Sequence, residues 1–229
     1  MYPETLSDRL AHVRQKIDAA AKRSVRDVSS IGLVAVSKRH SIEKMREALE
    51  AGATVFGESR LQEAIEKIPL LPARTHWHFI GHLQKNKARK LLPLFELFHG
   101  LDSLELAQDM DRIAAELGLF PRVLLEVNVA GESTKHGFAP DALEPFMEKL
   151  LSLPRLQVEG FMTMAPLSKD PEETRPVFSE LRLLRDRLAT QTGIPLSTLS
   201  MGMSNDYEIA IEEGATLVRV GSAIFGERE

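Results

Sequence analysis

The residue with the most chemistry in this sequence is a lysine at the end of an apolar run. In Gly32-Leu33-Val34-Ala35-Val36-Ser37-Lys38, Lys38 is the first cation after a stretch whose side chains are apolar from Ile31 to Val36. Such a run reads as a strand buried on both faces, as in a parallel sheet covered by helices. A lysine at the mouth of that strand has a desolvated stem and a destabilised ammonium. Proteins make a nucleophilic amine in this way, one able to form a Schiff base with a carbonyl. The run taken alone favours a lysine that snorkels and merely caps the strand.

Two glycine-bearing turns near the end of the chain have anion-binding composition. Ser200-Met201-Gly202-Met203-Ser204-Asn205-Asp206 offers two hydroxyls and a glycine for close backbone approach, with Ser204 placed to cap a helix running to Glu213. Gly221-Ser222-Ala223-Ile224-Phe225-Gly226 is a second amide-rich turn, directly after Leu217-Val218-Arg219-Val220. Arg219 interrupts an otherwise apolar strand, where a guanidinium is costly without an acceptor. Inward it could meet a ligand's ring nitrogen or carboxylate; outward it could pair with a helix glutamate. His76 and His78 share a strand face at metal-ligand spacing, but no third ligand accompanies them, so no metal centre is expected there. His82, just beyond, is a rim candidate for ligand contact or an ordinary turn residue. Lys85, Lys87, Arg89 and Lys90 read as a solvated helix face. Glu58 and Asp206 are acids near the same end, as helix caps or as charges tuning Lys38.

The elements that must position these residues alternate regularly. Strand patterns run over the Lys38 segment, 54–59, 76–81, 94–100, 122–129, 158–164, 198–204 and 217–221. Helical patterns cover 4–23, 41–50, 104–117, 142–151 and 172–190. In the first of these Leu6, Leu10, Val13 and Ile17 form one stripe; in the last Val177, Leu181, Leu184 and Leu188 do. Eight strands alternating with helices across short turns predict an α/β fold, a parallel (β/α)8 TIM barrel with an extra helix at the amino end. A doubly wound open sheet is the alternative, but no Gly-x-Gly-x-x-Gly follows any strand. In a barrel all carboxyl ends of the strands share one rim, which would bring together Lys38, Ser59, His82, Asn128, Met164, Ser204, Gly221 and Ser222.

Composition narrows the function. The 229 residues suit one domain, 1–229. The net charge of -4, with no basic tail, speaks against nucleic acid or an acidic membrane as a partner. The absence of cysteine excludes disulfides, thiolate nucleophiles and cysteine metal sites. Neither a signal region nor an apolar run of membrane-spanning length is evident, so a soluble cytoplasmic protein is expected. No heptad or dedicated dimer element is visible, and a monomer is expected.

Taken together, Leu33 to Lys38, Phe56-Gly57-Glu58, Trp77 to Gln84 with Asn86-Lys87, Val127-Asn128, Ser200 to Ser204 and Val218 to Gly226 resemble the YggS/PROSC family, the pyridoxal phosphate homeostasis proteins. The resemblance runs in order from about residue 5 to the end. It implies a barrel like the alanine racemase amino-terminal domain, with pyridoxal 5'-phosphate (PLP) as cofactor. By that match Lys38 would hold PLP as a Schiff base and Arg219 would approach the pyridine nitrogen. Ser200, Met201, Ser204, Gly221 and Ser222 fall in the phosphate-binding segments, and Ser59 and His82 are further cofactor-contact candidates. One departure is visible: where the family reads Gly-Glu-Asn-Tyr, this chain has Gly57-Glu58-Ser59-Arg60, which puts contacts from the second strand in doubt.

The expected role is a PLP carrier and regulator of cofactor and amino-acid pools, with PLP-dependent apo-enzymes as transient partners and no catalysis of its own. A PLP racemase and a class I aldolase are the alternatives. An arginine beside the pyridine nitrogen disfavours its protonation and weakens the ring as an electron sink. The resemblance to racemase would also call for a second domain and a tyrosine facing the substrate. This sequence ends at Glu229, and its tyrosines are Tyr2 and Tyr207, neither expected near the reacting carbon.

Overall fold

The computed structural model describes residues 5–132 and 134–226; Tyr2 lies outside them. Eight parallel strands close into a barrel in sequence order: β1 (Gly32–Val36), β2 (Val55–Glu58), β3 (His76–Phe79), β4 (Leu97–Leu101), β5 (Arg122–Glu126), β6 (Gln157–Met162), β7 (Thr198–Ser200) and β8 (Leu217–Val220). The helices are α1 (Leu6–Arg23), α2 (Ile42–Glu50), α3 (Leu61–Lys67), α4 (Lys85–Leu91), α5 (Leu104–Leu117), α6 (Pro140–Leu151), α7 (Arg175–Thr192), α8 (Tyr207–Glu212) and α9 (Ser222–Phe225). The expected barrel is the one observed, and the open sheet is excluded by the pairing of β8 with β1.

The strands end earlier than the apolar patterns suggest, because the residues beyond Val127, Met162 and Ser200 turn into the rim loops. β4 starts at Leu97 rather than Leu94, since Pro93 places Leu92–Leu94 in a 3₁₀ turn. α7 starts at Arg175 after a 3₁₀ turn over Pro171–Thr174, and Phe178, not Val177, takes the first fully buried position on its inner face. The stripe on α1 is as expected: Leu6, Leu10, Val13 and Ile17 are all buried. Thr5 and Asp8 form a reciprocal capping box at its start. α1 packs on α2, α8 and α9, and so closes the seam where the barrel's first and last units meet.

The large apolar core lies between barrel and helices, with Phe56, Phe98, Phe161, Phe178 and Phe225 fully buried. Inside the barrel a small apolar cluster of Leu97, Leu124 and Met162 fills the lower part. Above it the interior turns polar, and that change of character places the site.

Candidate functional site

Register determines what faces the barrel interior. Val34 lies beside Arg219 and Ala35 beside Val220. Alternation along β1 then carries Val34, Val36 and Lys38 to the inside, and along β8 Arg219 and Gly221. Lys38 therefore stands at the mouth, two residues past Val36, while Arg219 lies deeper. Both line a cavity of about 250 Å³, together with Ser204, Gly221 and Ser222, Asp206, and apolar walls from Val36, Ile80 and Met164. That volume is just under the roughly 300–1,000 Å³ usual for ligand clefts, the scale of a single substituted ring. The cavity reaches solvent past Met203 and Leu167, the latter 88% exposed.

Arg219 points inward, which settles the choice left open by the sequence. It is 4% exposed, donates from Nη1 to Ser200 Oγ at 2.5 Å and from Nη2 to the Thr163 carbonyl at 2.9 Å. Burial pushes its pKa down to about 10, opposed by the charges of Asp206 and Glu126, so it stays cationic at neutral pH. Ser200, having accepted from Arg219, gives its own proton to His99 Nδ1 at 2.8 Å; His99 Nε2–H then donates to His78 Nδ1 at 3.1 Å. Burial holds both imidazoles neutral, His78 with a pKa lowered to about 4 and His99 with one well below its ordinary value. The chain Arg219–Ser200–His99–His78 anchors the cavity floor.

A second network fixes the lysine from below. Lys67 Nζ on α3 donates to the Ser37 carbonyl (2.9 Å), Glu58 Oε1 (2.8 Å) and Glu63 Oε2 (2.9 Å). Ser37 Oγ donates to the same Glu58 oxygen at 2.8 Å, and Glu63 accepts the Arg39 backbone N–H at 2.6 Å. The residues on both sides of Lys38 are thus tied down, and Arg39 takes a left-handed φ of 64° to make the turn. Glu58 is fully buried, so it braces the β1 turn rather than capping a helix.

The turns around the cavity are close-packed. Gly202, at φ +89°, leaves room for α8: a Cβ there would come within 2.5 Å of the Ala210 Cβ and 2.8 Å of the Tyr207 Cα. Ser204 does not cap α8 as expected. Asp206 occupies the cap position, with its carboxylate accepting the Met203 N–H at 2.6 Å, while Ser204 Oγ accepts the N–H groups of Gly221 (3.2 Å) and Ala223 (3.3 Å). The hydroxyl thereby joins the two predicted turns into one polar wall.

Of the predicted site residues, Lys38, Ser204, Arg219, Gly221 and Ser222 meet in the cavity. Ser200 lies beneath it as the acceptor for Arg219, and Met201 is buried in the core between barrel and helices. Ser59 and His82 sit together at a separate hollow by α3 and α4, outside the Lys38 cavity. Met164 lines the cavity; Asn128 instead bonds within its own loop, to Glu132. His76 pairs with Glu96 at 2.9 Å and does not converge with His78. On the basic face of α4, Lys85 pairs with Glu105 and Arg89 with Glu116. Thr163, His99 and Lys67 were not anticipated; only the Glu63–Lys67 spacing of four on a helix hinted at the last.

The alanine racemase N-terminal domain family model matches residues 9–229. A pyridoxal phosphate homeostasis protein of Aquifex aeolicus is 43% identical over 223 residues, 97% of this chain and 98% of that protein. Among solved structures, PipY of Synechococcus elongatus is 39% identical and covers 97% of this chain and 100% of its own. Its TM-score is 0.88 without PLP and 0.84 with PLP bound. An alanine racemase of Clostridium difficile, 17% identical, superposes with a TM-score of 0.74 over 93% of this chain and 56% of its own, a likeness of fold.

Proposed function

Because this chain belongs to the family of pyridoxal phosphate homeostasis proteins, on the alanine racemase N-terminal domain fold, we propose that it binds PLP reversibly at Lys38. In this reading it serves as a cytoplasmic, monomeric carrier and regulator of the cofactor. The observation that carries this is the meeting, in one cavity of about 250 Å³, of an amine, a buried guanidinium and a hydroxyl- and amide-rich turn. The donor set fits the group. Lys38 supplies the amine, Arg219 a fixed positive charge at the floor for a ring nitrogen, and Ser204, Gly221 and Ser222 the polar wall for a phosphate. PLP, when bound, supplies an aldehyde reactive toward primary amines.

The protein's own groups favour holding over turnover. Arg219 is locked by Ser200 and Thr163 and offers no proton to a ring nitrogen at neutral pH. Tyr207 is buried in the core outside the cavity lining, its pKa pushed up to about 12 by burial, which suits packing rather than proton transfer. The mouth beside Leu167 and Met203 leaves the ligand in reach of water and of an acceptor enzyme.

Titration of the wild type and of Lys38→Ala with PLP tests this. The wild type is expected to develop a saturable visible band, and Lys38→Ala to lose the band while retaining weaker binding through the phosphate wall. Loaded protein is then expected to activate an apo-enzyme and to leave L-alanine unracemised. No band in the wild type would refute PLP binding, and steady racemisation would refute the carrier role.

A further inference from the structure

A second cluster of ligating side chains lies on the same rim and shares no residue with the Lys38 cavity. His82 follows β3, Asp102 follows β4, and His136 lies in the loop between β5 and α6. His82 Nδ1 is 2.8 Å from Asp102 Oδ2, and His136 Nδ1 is 3.8 Å from the same oxygen. The three ligand atoms all lie within 4.8 Å of one another, the one such group of His, Asp and Glu among the described residues. The two imidazoles stack with centroids 4.0 Å apart and planes 13° apart, and both Nδ1 atoms lie within 3.8 Å of the one carboxylate oxygen. Asp102 is nearly buried at its side chain (9% exposed), whereas the two histidines are open to solvent. The charge of Asp102 also reaches the buried carboxylate of Glu126 and raises its pKa, after burial itself.

We propose that His82, Asp102 and His136 form a binding site for a divalent transition metal ion, Zn²⁺ or a similar ion such as Co²⁺. Two imidazole nitrogens and one carboxylate oxygen are a donor set for zinc-like ions, whereas Mg²⁺ and Ca²⁺ favour all-oxygen sites. Metal–ligand bonds of roughly 2.0–2.2 Å need donor atoms about 3–3.5 Å apart, a range that the observed 2.8 and 3.8 Å straddle. Asp102 is the fixed ligand; the exposed rings, stacked here, must turn out of parallel for both lone pairs to converge beside it. Three protein ligands leave a fourth position for water, and the negative charge of Asp102 and Glu126 draws a cation toward the site. A bound ion would clip the β5–α6 loop to the rim at β3 and β4. The trio escaped the sequence because its members are 20 and 34 residues apart, with no spacing motif.

The test is Zn²⁺ titration of untagged protein by calorimetry, with Co²⁺ absorbance as the geometric readout. One equivalent is expected to bind saturably, with intense Co²⁺ d–d bands. His82→Ala and His136→Ala should each weaken binding by more than the roughly 10–100-fold attached to losing an outer partner of a metal ligand. The double variant should abolish it. His76→Ala, which breaks the other histidine–carboxylate pair, should leave it unchanged, and PLP uptake confirms that each variant is folded. Absence of a saturable equivalent in the wild type, or its survival in the double variant, would overturn the proposal.

Discussion

Arg219 is held at two points on the cavity floor and has a correspondingly sharp expected phenotype. Replacing it by Gln removes the positive charge at the floor and leaves the Thr163 carbonyl or Ser200 short of a partner, at a cost of about 1–3 kcal/mol in unfolding free energy. If the guanidinium faces a bound ring, the absorbance maximum of PLP on Arg219→Gln should shift as well; a spectrum identical to wild type would place the ring elsewhere. At this scale the sequence was informative where a residue type is out of place. A lysine ending an apolar run and an arginine inside one both announced themselves. Ser200 and Met201 did not reveal their positions, because composition cannot tell a hydroxyl that faces a ligand from one that anchors an arginine beneath it.

Among the elements, the junction of β1, β2 and α3 matters most, since it aims Lys38. Lys67→Met should cost about 3–5 kcal/mol in chemical denaturation, because it leaves Glu58 buried without its cation. Adding Glu58→Leu should recover most of that loss, because a buried pair replaced by apolar residues is often near neutral. The double variant, though stable, should still bind PLP more weakly than wild type, since the Ser37 carbonyl has lost its tether. Equal affinity in a PLP titration would show that the network serves stability alone. The strands and helices themselves were legible, because two-sided burial and 3.6-residue periodicity are strong signals. The strand ends were not, since residues such as Val129 and Met164 keep an apolar pattern while the backbone has already entered a rim loop. The change of partner at Ser204, from its own helix to the Gly221 turn, depends on β7 and β8 being adjacent, which no local pattern encodes.

For the whole molecule, closure of eight strands brings the first lysine and the last turn together, 183 residues apart between Lys38 and Gly221. It also encloses two neutral histidines, with consequences for acid stability. In the unfolded chain His78 takes up a proton near pH 6.5, but in the folded protein only near about 4. Below pH 6.5 the unfolded state therefore binds more protons, and folding stability falls until about pH 4. His78→Asn keeps an acceptor for His99 without the titration. Between pH 6.5 and 4 the wild type should lose about 3 kcal/mol relative to this variant, measured by denaturation at a series of pH values. Parallel pH curves would show that His78 takes up its proton alike in the folded and unfolded states.

In the proposed function, Lys38 is the amine that receives PLP. Borohydride reduction of the PLP-loaded protein, followed by proteolysis and mass spectrometry, tests it most directly. A pyridoxyl mass on the peptide containing Lys38, absent from Lys38→Ala, is the predicted result. A label on another lysine, or one that persists at equal yield in Lys38→Ala, would contradict it.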